Sequence, residues 1–270
     1  MPTNTEMLDL FEQTVSSIDE ACSSFDDDDW ERPTDLPGWS VKDNLSHLAH
    51  FESHALGRPS PPDVDISHRS HVTNDFQAAN ERGVEHRRAR AGREILEEFR
   101  SATTERIKLM RDLDDAGWET THQIPVGEVR YDQALPVRVL DLYFHEQDMR
   151  RATDRPGHLN GAVARFVCAR FENSMGYVVG KRAEAPDGAR VRFEIGPPGR
   201  AFDIVVRDGR GMPSEPEGRP DATFIGDAEA FFCVVGGRWT SDAAIASGRW
   251  SARGDADLIA RIHETITVVP

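Results

Sequence analysis

Nowhere in the 270-residue chain do about 18 apolar residues run together, the length an α-helix needs to cross the hydrocarbon core of a bilayer, so no membrane-spanning helix is expected. The opening MPTNTEMLDLFEQ is polar and acidic. A secretory signal is basic and then apolar, so the expectation is a cytoplasmic protein. Cysteine is scarce: Cys22, Cys168 and Cys233 lie far apart, form no CxxC pair and are odd in number. That pattern excludes a disulfide framework or a cysteine zinc cluster, and all three read as small buried hydrophobes. Positive charge is also in short supply. The 32 basic residues, of which only Lys42, Lys108 and Lys181 are lysine, face 47 acidic ones, giving a formal net charge of −15. Nucleic acid and anionic membranes are bound mainly through basic patches, so neither is an expected partner. Four of the acids stand together, Asp26 to Asp29. Adjacent residues point in different directions, so the run reads as a solvated turn and not as a metal site.

What is present divides into two patterns. A chain of this length buries a substantial core without staples, as one large domain or two ordinary ones. Over the first 155 residues the apolar positions follow helical spacing. Met7, Leu8, Phe11, Val15, Ile18 and Cys22 form one stripe, as a helix packed on a core requires. LPGW breaks the chain, and Ser40 with Asp43 three residues on has the form of a capping box opening a second helix to about Leu56. Residues 74–113 read as a third helix, and a fourth follows Pro136 and runs to about Thr153, where DRPG stops it. Four long helices predict a bundle. From 156 to 270 the pattern changes. After a linking helix through Tyr177, VRFEI and AFDIVV alternate apolar and polar residues around GPPG, the mark of paired strands. ATFIG reads as a further strand, Asp227 to Val235 as an apolar helix, and Gly254-Asp255 as a turn capping a terminal helix. The expected architecture is therefore α+β in two domains, a four-helix bundle over 1–155 and a small α+β domain over 156–270.

The chemistry concentrates on two helices. On the fourth, Asp141 and His145 are four residues apart and project from one face, with Val137 and Phe144 on the same side of the helical wheel, so both polar groups are expected to point inward. An unpaired carboxylate in a core costs several kcal/mol, which coordination to a cation offsets. The second helix carries His47, His50 and His54. With Val41, Leu45, Leu48, Glu52 and Ala55 as the buried stripe, His50 falls nearly opposite and His47 on the flank, which makes His47 the candidate third ligand. Two imidazoles and a carboxylate leave an open position of the kind catalytic zinc uses, and iron or nickel accept similar sets. Asp-x-x-x-His also arises by chance, and a helical histidine is commonly a satisfied core residue, so spacing alone leaves the metal site and a structural pair both open. Trp30 and Trp39 read as core anchors, and Glu146 and Asp148 as ion-pair partners of Arg150 and Arg151 or as acceptors orienting His145.

Two segments carry a family resemblance. PTDLPGWSVKDNLSHLAHFE, with VRVLDLYFHEQDMRRATDRPGHL downstream, resembles the DinB-like family of mycothiol-dependent maleylpyruvate isomerases. The resemblance implies that His47, Asp141 and His145 bind zinc or another divalent metal. It also implies a glutamate in the isomerase where this chain has Asp141, one methylene shorter. GDAEAFFCVVGGR and SGRWSARGDADLIARI are similar to the family's sterol-carrier-like C-terminal domain, which implies a catalytic role for Arg238 in holding the carboxylate of an acidic substrate. The implied partners are a small-molecule thiol, mycothiol, and an electrophilic substrate, in a monomer or homodimer acting as cis–trans isomerase or S-transferase. The competing reading is a non-catalytic metal-containing protein that holds an apolar ligand in its C-terminal domain, the metal being structural or vestigial.

Overall fold

The computed structural model describes residues 2–59, 62–124 and 127–268, and the chain divides into two compact units, Met1–Gly157 and His158–Pro270. The first opens with α1, Asn4–Ser23, whose N-cap Thr3 and Glu6 form a capping box and whose stripe from Met7 to Cys22 is buried as the spacing predicts. The acidic run departs from expectation. Asp27–Trp30 is a short helix, α2, and Asp29 is buried. The Arg155 guanidinium, 2.7 Å from Asp29 Oδ2, supplies the charge that makes this burial tolerable and holds its carboxyl below the usual range.

α3, Val41–Ala55, begins at the expected capping box of Ser40 and Asp43. Ser40→Ala should cost about 1 kcal/mol of stability, read as a shift in denaturant midpoint, because it leaves a helix N–H without its acceptor. The single helix expected over 74–113 is two, α4 at Asp75–Glu85 and α5 at Gly92–Arg111. Gly92 starts α5 because the Trp30 indole lies where a side chain would be: a Cβ there would sit 2.2 Å from Trp30 Cδ2. α6, Asp115–Trp118, leads into an antiparallel hairpin of β1, Thr121–Ile124, and β2, Gly127–Arg130, with Thr121 opposite Arg130. α7, Tyr131–Ala152, starts five residues before Pro136, which lies inside it. The proline removes one backbone hydrogen bond without ending the helix. α1, α5, α3 and α7 contact one another in that cyclic order, and α4 lies on α3, so every residue from Val41 to His50 is buried.

The second unit starts with α8, Ala162–Tyr177, which continues into a π-helical turn at Val178–Arg182. Its sheet has the order β5-β4-β3-β6-β7, with β3 Arg190–Ile195, β4 Ala201–Arg207, β5 Arg210–Ser214, β6 Ala222–Gly226 and β7 Trp250–Gly254. β3 and β6 pair in parallel and the other neighbours antiparallel. The expected hairpin is β3–β4; the flanking strands β5 and β7 carry too little alternation to be read from sequence. α9 is Ala228–Val235, α10 Ser241–Ala246 and α11 Ala256–Thr265, the last capped by Asp255. The rings of Phe193, Phe202 and Phe224 stack at centroid distances of 5.0 and 5.2 Å under Phe231 and Trp250. All three cysteines are buried, and burial pushes the Cys168 thiol up to about 12. Among the described residues no helix is long and apolar enough to cross a membrane.

Candidate metal centre

α3 and α7 run side by side as a ladder of polar pairs. Asn44 meets His145, His47 meets Asp141, and Glu52 meets Arg138, so residue numbers rise along one helix as they fall along the other. At the middle rung the His47 Nε2 lies 3.4 Å from Asp141 Oδ2, and His145 Nε2 lies 3.4 Å from Asp141 Oδ1. Donor atoms of the three side chains all fall within 4.8 Å of one another. Both imidazoles are buried, whereas the Asp141 side chain keeps 32% of its surface exposed and forms the open side. Val137, one turn before Asp141, is 54% exposed. The inward placement expected for Val137 fails because burial on that face of α7 begins only one turn later.

The donor set suits a divalent cation. Burial drives His47 down to about 4, against the pull of Asp141, so its imidazole is neutral and has a lone pair to give near pH 7. Burial also opposes the charge of Asp141, but the Arg138 guanidinium and the His47 and His145 rings outweigh it and hold the carboxyl well below the usual range. Asn44 Oδ1, 2.7 Å from His145 Nδ1, is an acceptor that fixes a proton on that nitrogen and leaves Nε2 as the ligand atom. Asn44 is itself held by donating to Thr34 Oγ1 and to the Ser40 carbonyl. His47 Nδ1 is buried with no hydrogen-bond partner among the described residues, which leaves that imidazole oriented by packing and by what its Nε2 meets.

The chain's first 150 residues also match a known pattern. The family model described as the mycothiol maleylpyruvate isomerase N-terminal domain matches residues 11–150, more than half of the sequence. The chain belongs to this family. The SCP-2 sterol transfer family model matches residues 179–267. A crystal structure of the mycothiol-dependent maleylpyruvate isomerase is similar over 94% of this chain and 95% of that chain, with 13% identity and a TM-score of 0.58. A histidine-to-alanine mutant of the mycothiol-dependent maleylpyruvate isomerase gives 14% identity, the same coverage and a TM-score of 0.54. At these identities the likeness is one of fold. No curated protein matches the chain.

In this maleylpyruvate isomerase family member the residues around the three candidate ligands were less legible than the ligands. Trp39, read as a core anchor, is half-buried and lies against both imidazoles, at ring-centroid distances of 5.3 Å to His47 and 5.7 Å to His145. Its Nε1 donates to Glu81 Oε2 at 2.7 Å, and Glu81 also meets His71 and Arg88. Glu146 and Asp148 pair with Arg150 and Arg151; Asp148 Oδ2 also lies 3.7 Å from His145 Nδ1, but the hydrogen bond at that nitrogen is with Asn44. Its position three residues before His47, one helical turn away, is the available signal. Arg238 follows α9 in the second unit, where its Nη1 donates to the Gly236 carbonyl.

His50 does not face away from the core as the stripe suggested. α4 covers that side of α3, and a Cβ at Gly83 would lie 2.2 Å from His50 Cδ2. Burial, with the Arg87 charge, pushes His50 down to about 3. Burial with the Arg106 charge pushes His122 down to about 4. Both ordinarily titrate near 6.5, so below that pH the unfolded chain binds protons that the native protein refuses. Stability should therefore fall as pH drops from about 6.5 toward 4. Denaturant midpoints at about pH 7 and pH 5 test this, and equal midpoints would contradict it.

Proposed function

We propose that this protein is a thiol-dependent metalloenzyme of isomerase type, in which His47, Asp141 and His145 hold one divalent cation, zinc being the first choice for an N2O donor set. The observation that carries the proposal is the convergence of three donor atoms on one partly open position, with His145 Nδ1 already occupied by Asn44. A cation bound there supplies the positive charge that holds an incoming thiol as its thiolate near neutral pH.

The chain's own residues prepare that position. Burial keeps His47 neutral, Arg138 keeps Asp141 ionised, and the Trp39 ring shields the imidazoles from water. Family membership and the names of the similar structures support mycothiol as the thiol and maleylpyruvate as the first substrate to try. A thiolate adding to the cis carbon–carbon double bond of such a substrate leaves a single bond that rotates. Elimination then returns the thiol and the trans isomer, whereas retention of the adduct gives S-transfer. Arg238 is our candidate for the substrate's carboxylate, a role in which a guanidinium binds bidentately. Arg238→Lys should then raise KM for an acidic substrate more than for its ester.

The alternative, an apolar ligand held by the second unit, draws support from the SCP-2 sterol transfer match; against it, Phe193, Phe202, Phe224, Phe231 and Trp250 pack on one another there. The deciding experiment is metal content by mass spectrometry on untagged protein, followed by thiol titration of a cobalt-substituted sample and an assay with mycothiol and maleylpyruvate. One equivalent of metal and a thiolate-to-cobalt absorption band support the proposal. Absence of metal, or metal indifferent to thiol, sinks it. In the same assay Asn44→Ala should weaken metal binding about 10- to 100-fold, the usual cost of losing an outer-shell partner.

A further inference from the structure

Beneath the three candidate ligands lies a ladder of four charged side chains that alternates in sign: Arg106, Glu52, Arg138 and Asp141. Arg106 Nη1 is 3.2 Å from Glu52 Oε2, Arg138 Nε donates to Glu52 Oε1 at 2.6 Å, and Arg138 Nη1 donates to Asp141 Oδ2. Arg106 and Arg138 each keep 2% of their side-chain surface exposed, and Glu52 keeps none. Arg138 is further fixed by donating from Nη2 to the Leu48 carbonyl at 3.1 Å, and its guanidinium lies 4.2 Å from the Phe51 ring centroid. Every nitrogen of this fork is thus committed, and two of its three partners belong to α3.

We infer that Arg138 is a positioning residue for cation binding: it ties the Asp141 carboxylate to α3, the helix that carries His47, and so holds Oδ2 beside His47 and Oδ1 toward His145. The inference rests on the metal-site reading above. Its physical basis is that Asp141 is the least buried of the three candidate ligands. Two imidazoles are held by packing, and Asn44 adds a hydrogen bond to one of them. Asp141 has only a short side chain and a partly wet surroundings, so without Arg138 its carboxylate could turn toward solvent. A guanidinium with one arm on Glu52, one on a backbone carbonyl and one on Asp141 Oδ2 removes that freedom and leaves Oδ1 oriented toward His145.

A purely electrostatic role makes the opposite prediction, which gives the test its sign. Arg138 carries positive charge beside a cation site, so if charge were all that mattered its removal would tighten metal binding. If Arg138 positions Asp141, its removal weakens binding in spite of the lost repulsion. Cobalt affinity is measured by competition with a chromophoric chelator for the unaltered protein, Arg138→Met and Arg138→Lys, each also combined with Asp141→Asn. The expected result is a loss of about 10- to 100-fold for Arg138→Met, within the range for outer-shell partners. Arg138→Lys, which keeps the charge but cannot span Glu52, Leu48 and Asp141 together, should recover only part of it. Neither substitution should cost further affinity once Asp141 is asparagine, because Arg138 acts through that carboxylate.

Unchanged or tighter binding in Arg138→Met, full recovery in Arg138→Lys, or an undiminished loss in the Asp141→Asn background would each overturn the inference. Should Arg138→Met fail to fold, the Arg138→Lys comparison and its cycle with Asp141→Asn still decide the question. If the unaltered protein binds no cobalt, the metal-site proposal itself has failed, a result distinct from all of these.

Discussion

His145→Ala should abolish thiol-dependent turnover, with kcat/KM falling by more than the roughly 10- to 100-fold that outer-shell partners cost. The imidazole has two anchors, Asn44 at Nδ1 and the Asp141 carboxylate near Nε2, and supplies one of only three candidate ligands. Alanine leaves a cation with His47 and Asp141 alone, too few to hold it against a dilute chelator. The purified variant should carry well under one equivalent of metal. Because His145 lies beside the open edge of the bundle and Trp39 packs over it, the far-ultraviolet circular dichroism should be unchanged. Turnover surviving at its original level in a variant that has lost its metal would show that catalysis lies elsewhere.

The largest effect on stability should come from a residue with no part in ligation. Glu52 is fully buried between Arg106 and Arg138. Glu52→Ala strands two guanidinium groups that are each almost wholly removed from water. Breaking a buried ion pair in this way costs about 3–5 kcal/mol, and here one carboxylate serves two cations. Equilibrium denaturation of the variant should show a loss in that range or above. Arg58→Ala provides the contrast. Its pair with Glu105 lies at the surface, with 35% and 59% of the side chains exposed, so the loss should stay under about 1 kcal/mol. Similar losses for the two variants would mean that the buried ladder is solvated in a way the structure does not show.

Both cases bear on what could be read in advance. α1 and α3 are legible because each joins an apolar period to a side-chain cap, at Thr3 and Ser40, whereas α5 and α7 begin without one and their starts differ from expectation. The β1–β2 hairpin is not legible, since four-residue strands give periodicity too little length to register. His47, Asp141 and His145 could be singled out by helical spacing and family resemblance together, because ligands sharing one turn leave a mark in sequence. The groups that hold them come from pairings between helices. Arg138 is three residues from Asp141 and therefore on its face, but its partners Glu52 and Leu48 lie on α3, far away in sequence. Glu52 falls within the buried stripe of α3, where a charge requires a partner that the sequence of α3 does not contain. His50 was misplaced for a related reason: a helical wheel assigns one buried side, whereas α3 has neighbours on several.

The buried cysteines acquire a meaning under the proposed thiol chemistry. A protein that draws a reactive thiolate into itself risks mixed disulfides wherever its own sulfur can ionise. Cys22, Cys168 and Cys233 are all buried, and burial raises the thiol pKa of both Cys22 and Cys168. Exchange requires a thiolate with access to its partner, and burial denies that access to all three. The native protein should therefore resist alkylation by iodoacetamide and stay unmodified through repeated cycles of thiol oxidation, leaving any sulfur reaction to a thiol from outside the chain.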